Sequence, residues 1–170
     1  ATLALLTLDN DLDHSKPTTL GPNSLVELGL ALEELRERAG RGEIDAVAVT
    51  GKPYYLVAGA DLSAVGSLQD AGSGRRMAQL GHEVYDVLNG MDIPTFAFIN
   101  GAAMGGGLEI ALAAHYRTVS TGANGISLPE AFLGLVPGWG GVYRLPRLIG
   151  PQNAVKVMIE NALSNNKMLD

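Results

Sequence analysis

The chain has 170 residues, a formal net charge of -6 and no cysteine. Its length fits one domain with a sizeable core, and the negative charge without a long run of Lys and Arg argues against a nucleic-acid partner. The lack of cysteine excludes disulfides and thiolate zinc sites. No segment reaches the ~20 apolar residues that span a bilayer. The first residues predict a strand rather than a signal peptide, which favours a cytoplasmic or matrix-type location.

Short aliphatic runs alternate along the chain with segments in which apolar residues recur at helical spacing. The predicted strands are Leu3–Leu8, Ile44–Thr50, Tyr54–Val57, Thr95–Asn100 and Tyr116–Ser120. The predicted helices are residues 21–40 with Gly40 as the C-terminal cap, Gly74–Asn89, a helix from about Gly106, and Pro151–Asn161. A mobile loop is expected at Ser67–Arg76. This alternation predicts an α/β layered fold whose strands are buried on both faces.

The most informative motif is IPTFAFINGAAMGGGLEIAL, in which three consecutive glycines open a helix that carries Glu109 in its first turn. The first turn of a helix has unpaired N–H groups and a partial positive charge. Glycines there let a ligand approach those N–H groups without meeting a Cβ, as an oxyanion hole requires. The alternative is a glycine-lined contact between helix and sheet. Ile110 stands where a dinucleotide fingerprint needs its last glycine.

A second motif is a turn of small residues after the third predicted strand. The chain turns at Ala58-Gly59-Ala60 into a short helical stretch that begins with Asp61 and Leu62. Small residues at such a turn expose backbone N–H groups to a ligand. Taken alone, the segment is equally well explained as a simple turn.

A third motif contains Glu130, which follows Pro129 among apolar residues and precedes a Pro-Gly-rich loop at Pro137–Gly141. An ionised carboxylate in apolar surroundings is costly unless it is paired, and its pKa is usually raised. General acids and bases are commonly found in such surroundings. The alternative is a glutamate that merely caps a helix start after proline.

In order, the motifs V-A-G-A-D-L, N-G-x-x-M-G-G-G-x-E and L-P-E-x-x-L-G-x-x-P-G-x-G-G closely resemble the enoyl-CoA hydratase/isomerase, or crotonase, superfamily. The resemblance extends from Leu3 to Gly150, and RLPRLIGPQNAVK is similar to the hydratase part of bacterial fatty-acid oxidation multienzymes. It implies the layered sheet-and-helix spiral of the ClpP/crotonase fold and the hydration of an enoyl-CoA thioester to 3-hydroxyacyl-CoA. It implies no metal and no cofactor besides the coenzyme A of the substrate.

The resemblance also implies a role for each motif. The N–H groups of Ala60 and Gly106 would form the oxyanion hole for the thioester oxygen. Glu109 and Glu130 would flank the double bond, and the family pattern suggests that Glu109 activates the water while Glu130 supplies the proton. The residues implied to contact coenzyme A or the acyl chain are Ala58, Gly59, Asp61, Leu62, Met104, Gly105, Pro129, Leu133, Gly138 and Trp139.

The sequence departs from the family pattern at several points. His115 stands where relatives usually carry an acidic residue, and one extra residue before Glu130 is expected to lie in the turn at Gly122–Gly125. Trp139 is bulky, which leaves the acyl-chain length open. Residues 1–170 are expected to form one hydratase core without its C-terminal helices. The family implies a homotrimer or hexamer, or a part of a multifunctional β-oxidation enzyme.

Three other functions are weighed against hydration. A Δ3-Δ2-enoyl-CoA isomerase needs only one carboxylate that moves a proton, so the presence of Glu109 favours the hydratase. A non-catalytic CoA-binding module of the same fold would need neither glutamate. A ClpP-like serine protease shares the general fold, but no Ser–His pair has a suitable setting.

Overall fold

A computed structural model of the chain describes residues 1–66 and 70–160. Its strands form two parallel sheets of four and three strands. The larger sheet contains, in spatial order, β1 (Leu3–Leu8), β2 (Ala46–Gly51), β4 (Thr95–Ile99) and β6 (Tyr116–Val119). The smaller sheet contains β3 (Tyr55–Val57), β5 (Ala102–Met104) and β7 (Ile126–Ser127).

The helices lie between and after these strands. They are α1 (Pro22–Gly40), α2 (Leu62–Gly66), α3 (Ala71–Asn89), α4 (Gly106–Ala113), α5 (Gly141–Ile149) and α6 (Pro151–Val155). A 3-10 helix spans Pro129–Leu133, and a π-helical turn spans Lys156–Glu160. α1 and α3 pack together, and their buried side chains join the core with those of β1, β2 and β4. Within the described ranges, no helix is sufficiently long and apolar to cross a membrane.

From β2 onward the described chain repeats one path: a strand of the larger sheet, a strand of the smaller sheet and then helical structure. The chain crosses from the larger to the smaller sheet between β2 and β3 and again between β4 and β5, and glycines allow these two crossings to pack closely. A Cβ on Gly51 would collide with the carbonyl of Tyr55, and one on Gly101 would collide with the carbonyl of Tyr54. Asn100 joins the crossings, because its side chain accepts the N–H of Gly51 at 3.3 Å and donates to the Gly51 carbonyl at 3.2 Å. The repeat brings the ends of β3, β5 and β7 to one place.

The prediction that the strands are buried on both faces is wrong for the outer strands of the larger sheet. On β1, Leu3 and Leu5 are 52% and 60% exposed, and on β6 Tyr116 is 58% exposed. Both strands lie at the edges of the sheet. On β1 alternate residues are exposed, and on β6 three of the four residues are exposed. An aliphatic run does not by itself distinguish an edge strand from a central one.

α3 begins earlier than the sequence pattern predicts. Asp70 caps this helix, because its Oδ1 accepts the N–H of Ser73 at 2.6 Å and its carbonyl accepts the hydroxyl of Ser73 at 2.8 Å. The predicted mobile loop at Ser67–Arg76 is therefore wrong for residues 71–76, which are helical. Residues 67–69 lie outside the described part of the chain.

The C-terminal helices also differ from the prediction. α5 has no counterpart in the predicted elements, because Pro146 and the neighbouring glycines indicate a loop, yet Pro146 lies inside the helix. The predicted helix Pro151–Asn161 ends its α-helical part at Val155 and continues as the π-helical turn. Its last predicted residue, Asn161, lies outside the described residues.

The end of α1 is displaced slightly from its predicted position. Gly40 is the last helical residue rather than the cap, and Arg41 is the C-terminal cap. The residue with a left-handed backbone is Gly42, with a φ of 69°. Glycine tolerates this conformation, so Gly42 rather than Gly40 reverses the chain after the helix.

Candidate active site

The three consecutive glycines follow β5: Gly105 is the N-terminal cap of α4 and Gly106 and Gly107 are its first residues, and each glycine has its own structural reason. Gly105 has a φ of +52°, and a Cβ there would lie 2.7 Å from Oε1 of Glu130. A Cβ on Gly106 would collide with the ring of Trp139, and one on Gly107 would collide with a carbonyl of β3. Gly107 thus provides the close helix–sheet contact, whereas Gly105 and Gly106 bring the backbone against two side chains of the candidate site.

The turn after β3 is fixed by hydrogen bonds to Leu20. The N–H of Leu20 donates to the carbonyl of Gly59 at 2.9 Å, and its carbonyl accepts the N–H of Asp61 at 2.9 Å. These bonds flank Ala60, so in this parallel pairing the N–H of Ala60 points away from Leu20. A Cβ on Gly59 would lie 3.8 Å from the amide nitrogen of Gly106. The turn is therefore adjacent to the start of α4.

The N–H groups of Ala60 and Gly106 are the predicted oxyanion donors. Neither donates a hydrogen bond to an acceptor within residues 1–66 and 70–160. Gly106 is the first residue of α4, and N–H groups of a first helical turn have no acceptor in their own helix. Two unpaired N–H groups on adjacent, fixed backbone segments are able to stabilise a developing oxyanion.

Glu109 is almost completely buried, with 1% of its surface exposed. Its Oε1 accepts the backbone N–H of Trp139 at 2.8 Å and that of Gly141 at 2.7 Å. Gly140 between them has a φ of +114°, and this reversal lets both N–H groups converge on one anion. The carboxylate also benefits from its place in the first turn of α4, where the helix dipole favours negative charge.

Burial raises the pKa of Glu109 from its ordinary value of 4.5 to about 7. The loss of hydration is the largest cause, and the nearby carboxylate of Glu130 acts in the same direction. The N–H groups of Gly141 and Trp139 and the charge of Arg144 act in the opposite direction. A carboxyl group whose pKa lies near neutrality exchanges a proton readily, which suits a general acid or base.

Glu130 lies in the first turn of the 3-10 helix, which Pro129 begins. Burial raises the pKa of Glu130. Its Oε2 is buried and has no hydrogen-bond partner among the residues that the structure describes. Because no donor stabilises the ionised form at this oxygen, the protonated form is favoured. The two glutamates therefore have different surroundings: N–H donors hold Glu109, and Glu130 has an unpaired oxygen.

An apolar cavity of about 250 Å³ lies where the turn after β3, the start of α4 and the 3-10 helix meet. Nine of the predicted site residues form its wall together with Phe132 and Leu135, namely Ala58, Gly59, Ala60, Leu62, Met104, Gly105, Pro129, Glu130 and Leu133. The three sequence motifs thus surround one cavity. Phe132 and Leu135 are not among the predicted site residues. Like Leu133, they are apolar residues that follow the candidate glutamate Glu130 closely in sequence, and this position could have identified them as part of the wall.

The other predicted site residues lie outside this wall: Gly106, Glu109, Asp61, Gly138 and Trp139. Gly106 and Glu109 follow Gly105 in the first turn of α4. Asp61 instead caps α2, because its Oδ1 accepts the N–H of Ser63 at 2.9 Å and the hydroxyl of Ser63 at 2.7 Å.

Trp139 is a core residue, with 4% of its surface exposed. Its indole lies in a slot between Gly81 on α3 and Gly106 on α4, where any Cβ would collide with the ring. The edge of the ring meets Tyr85, with centroids 5.7 Å apart and planes at 80°. The hydroxyl of Tyr85 donates to the carbonyl of Gly106 at 2.8 Å. The structure therefore places Trp139 between two helices rather than in the cavity wall.

His115 lies at the C-terminal end of α4, the opposite end from Glu109. Its Nδ1 accepts the N–H of Thr95 at 3.3 Å, and its Nε2 lies 3.0 Å from the carbonyl of Asn89. These contacts join the start of β4 to the end of α3. At this departure from the family pattern, the side chain therefore connects structural elements.

The parallel-sheet spiral, the two glutamates and the two unpaired N–H groups define a crotonase-type protein. The sequence matches the enoyl-CoA hydratase/isomerase family over residues 1–166, and the chain belongs to this family. It is 40% identical over 161 residues to the fatty acid oxidation complex subunit alpha of Shewanella oneidensis, and 41% identical over 162 residues to that of Shewanella loihica. Each alignment covers 92% of this chain and 22% of the relative, so the chain spans about a fifth of their length.

Solved structures confirm the predicted α/β crotonase fold. DspI of Pseudomonas aeruginosa is 34% identical, with a TM-score of 0.82 over 97% of this chain and 66% of that one. An enoyl-CoA hydratase from Bacillus anthracis is 27% identical, with a TM-score of 0.81 over 97% of this chain and 63% of that one. An enoyl-CoA hydratase from Thermoplasma volcanium is 25% identical, with a TM-score of 0.84 over 93% of this chain and 60% of that one.

Proposed function

We propose that this chain is the enoyl-CoA hydratase part of a fatty-acid β-oxidation enzyme and adds water across the 2,3 double bond of an enoyl-CoA thioester. The environment of Glu109 is the observation that carries the proposal: a buried carboxylate, held by two N–H groups, with a pKa of about 7. Glu130 supplies a second carboxyl group with a raised pKa. Hydration requires both, because water must lose a proton and C2 must gain one.

The oxyanion donors bind the thioester carbonyl. Its oxygen would accept the N–H groups of Ala60 and Gly106. As the water oxygen bonds to C3, electrons of the double bond shift onto the thioester oxygen, and each N–H lowers the barrier by about 3 kcal/mol in a dry site. The carbonyl then re-forms while C2 takes up a proton. One water is consumed, with its hydroxyl on C3 and a hydrogen on C2.

The different surroundings of the two carboxyl groups support a division of roles. Trp139 and Gly141 donate to Glu109 and favour its ionised form, so Glu109 acts as the base that takes a proton from water. Burial raises the pKa of Glu130 as well, so Glu130 can hold the proton that it delivers to C2. The cycle closes when Glu109 releases its proton and Glu130 regains one from solvent.

The cavity supports an acyl-CoA thioester as the substrate. Its wall consists mainly of aliphatic and aromatic side chains, which suit an acyl or pantetheine chain. Leu62 and Leu133 in this wall are 57% and 51% exposed, so this part of the wall lies at the protein surface. An open apolar mouth fits a ligand that continues beyond the site, as a coenzyme A conjugate does. The relatives named as fatty acid oxidation complex subunits support the same substrate class.

Hydration of crotonyl-CoA by the full-length protein, followed by the loss of enoyl absorbance, tests the proposal. Glu109→Gln and Glu130→Gln should each lower kcat at least ~100-fold, because each removes a positioned acid or base. Glu34→Gln changes an exposed glutamate on α1 and is the matched control, with an unchanged rate expected. Near-wild-type turnover in both active-site variants would contradict the mechanism. Failure of the wild type to hydrate crotonyl-CoA or longer 2-enoyl-CoA would contradict the function.

A Δ3-Δ2-enoyl-CoA isomerase is the second candidate, and one observation favours it. Glu130 lines the cavity whereas Glu109 does not, and isomerisation needs one carboxylate to move a proton from C2 to C4. Conversion of 3-enoyl-CoA to 2-enoyl-CoA that survives Glu109→Gln but not Glu130→Gln would identify this activity. A non-catalytic module would bind the thioester and convert neither substrate.

A further inference from the structure

Arg144 on α5 is a buried arginine, 8% exposed, that lies outside the cavity wall. Its Nη1 donates to the carbonyl of Trp139 at 2.9 Å. Its Nη2 donates to Oδ1 of Asp86 on α3 at 2.5 Å, and the side chain of Asp86 is 65% exposed. Arg144 therefore connects α3 to the loop that precedes α5, and neither contact is made to a residue of the cavity wall.

The carbonyl that Arg144 binds belongs to the loop that holds Glu109. The N–H groups of Trp139 and Gly141 donate to Glu109, while the carbonyl of Trp139 accepts from Arg144. Gly140 has a φ of +114°, and the guanidinium occupies the space that a Cβ on Gly140 would need. The loop is thus fixed between a carboxylate on one side and a guanidinium on the other.

We propose that Arg144 is a positioning residue for Glu109: anchored to α3 through Asp86, it holds the loop Trp139–Gly141 in the conformation in which two N–H groups bind the Glu109 carboxylate. The inference rests on the proposed role of Glu109 as the base. Arg144 acts through the loop and through its charge, and makes no contact with substrate. A carboxylate misplaced by a fraction of an ångström is a poor base even when it is present.

The charged and titratable groups around Glu109 come from three elements. Glu130 lies on the 3-10 helix, Arg144 lies on α5, and α3 contributes Asp86 behind Arg144 and Tyr85, whose pKa burial raises well above its ordinary value. Arg144 is the positive charge among the groups that affect the pKa of Glu109. Its removal withdraws this charge and loosens the two N–H donors. Both changes favour the protonated carboxyl, so the pKa of Glu109 should rise.

Carbon-13 NMR titration of the Glu109 carboxyl in the full-length protein measures the pKa of Glu109 without turnover. The Glu109 signal is assigned by its absence in the Glu109→Gln variant. Arg144→Gln should raise the pKa of Glu109 by about one unit. Arg144→Lys keeps the charge but cannot contact both the Trp139 carbonyl and Asp86 as the guanidinium does, so it should cause a smaller rise in the pKa of Glu109. This variant provides the test if Arg144→Gln does not fold. Arg147→Gln is the matched control, because Arg147 is exposed on the same helix over the ring of Tyr143.

The pH profile of kcat/KM gives an independent reading. A rise of about one unit in the pKa of Glu109 lowers its ionised fraction about tenfold at any pH below the pKa values of both the wild type and the variant. Arg144→Gln should therefore have about tenfold lower kcat/KM than the wild type at about pH 6, and this difference should disappear at high pH, where Glu109 is ionised in both proteins. Simple destabilisation would not shift the profile.

The two measurements separate the positioning role from the proposed function. An unchanged pKa of Glu109 in folded Arg144 variants would overturn the positioning role, even in an active hydratase. A shifted pKa in a protein that hydrates no enoyl-CoA would remove the proposed function and leave the positioning role in place.

Discussion

The substitution Glu109→Gln tests the electrostatics of the site, because it removes a charge and keeps the shape. Glutamine retains a carbonyl oxygen that can accept the N–H groups of Trp139 and Gly141. It removes the cost of ionising a side chain that is 1% exposed. The new amide NH2 adds a cost that does not depend on pH. The pH dependence of stability, rather than its absolute value, is therefore the quantity to compare.

The pKa of Glu109 sets the pH range and the magnitude of the effect. In the unfolded chain this pKa has its ordinary value of 4.5, and in the folded protein it is about 7. Well below pH 4.5 the group is protonated in both states and has no effect on the free energy of unfolding. As the pH rises from 4.5 to about 7, the unfolded state ionises first, so stability falls. The pKa difference of about 2.5 units, at about 1.4 kcal/mol per unit, corresponds to about 3.5 kcal/mol.

Urea unfolding at a series of pH values measures the effect directly. Between about pH 5 and about pH 8, the wild type should lose about 2.5 kcal/mol more than the Glu109→Gln variant, because part of the loss occurs below this range. Glu34→Gln, at an exposed position on α1, should follow the wild type. If the wild type and Glu109→Gln gave parallel curves, the raised pKa of Glu109 and the roles derived from it would be refuted.

Three further substitutions test the packing around the site. Gly105→Ala adds a Cβ 2.7 Å from Oε1 of Glu130 at a φ of +52°; kcat for crotonyl-CoA should fall at least ~100-fold, and wild-type kinetics would exclude this contact. Tyr85→Phe leaves the carbonyl of Gly106 unpaired and should lower the free energy of unfolding by about 1–3 kcal/mol in urea titrations. Trp139→Ala empties a core slot and should cost about 3–5 kcal/mol; an unchanged melting temperature would contradict the core placement.

The sequence predicts those parts of the site that local backbone rules determine. The place of Glu109 in the first turn of α4, the glycines before it and the small residues at Ala58–Ala60 can each be recognised from a few neighbouring residues, although the turn itself is held by distant Leu20. The contacts that hold Glu109 are different, because its hydrogen bonds to Trp139 and Gly141 join residues 30 and 32 positions apart. These bonds depend on how α5 packs against α4, which no local pattern specifies.

The placement of Trp139 shows the same limit at the level of packing. A bulky residue in a Pro-Gly-rich loop beside a candidate site is easily interpreted as a substrate contact. Its actual environment depends on Gly81, which is 58 positions earlier in the chain and leaves room for the ring. Local rules also miss β7, because two residues show no periodicity, and α5, because Pro146 normally interrupts a helix.

The contacts of Glu109 are a compromise between ionisation and basicity. Burial alone would raise the pKa further and leave the carboxyl protonated at neutral pH, where it takes no proton from water. Full exposure to water would return the pKa towards its ordinary 4.5 and give an ionised but weak base. Trp139, Gly141 and Arg144 oppose the effect of burial and bring the pKa to about 7. A base that is both available and effective near neutrality therefore requires the buried site and the backbone donors together, so loss of either should slow the proposed hydration.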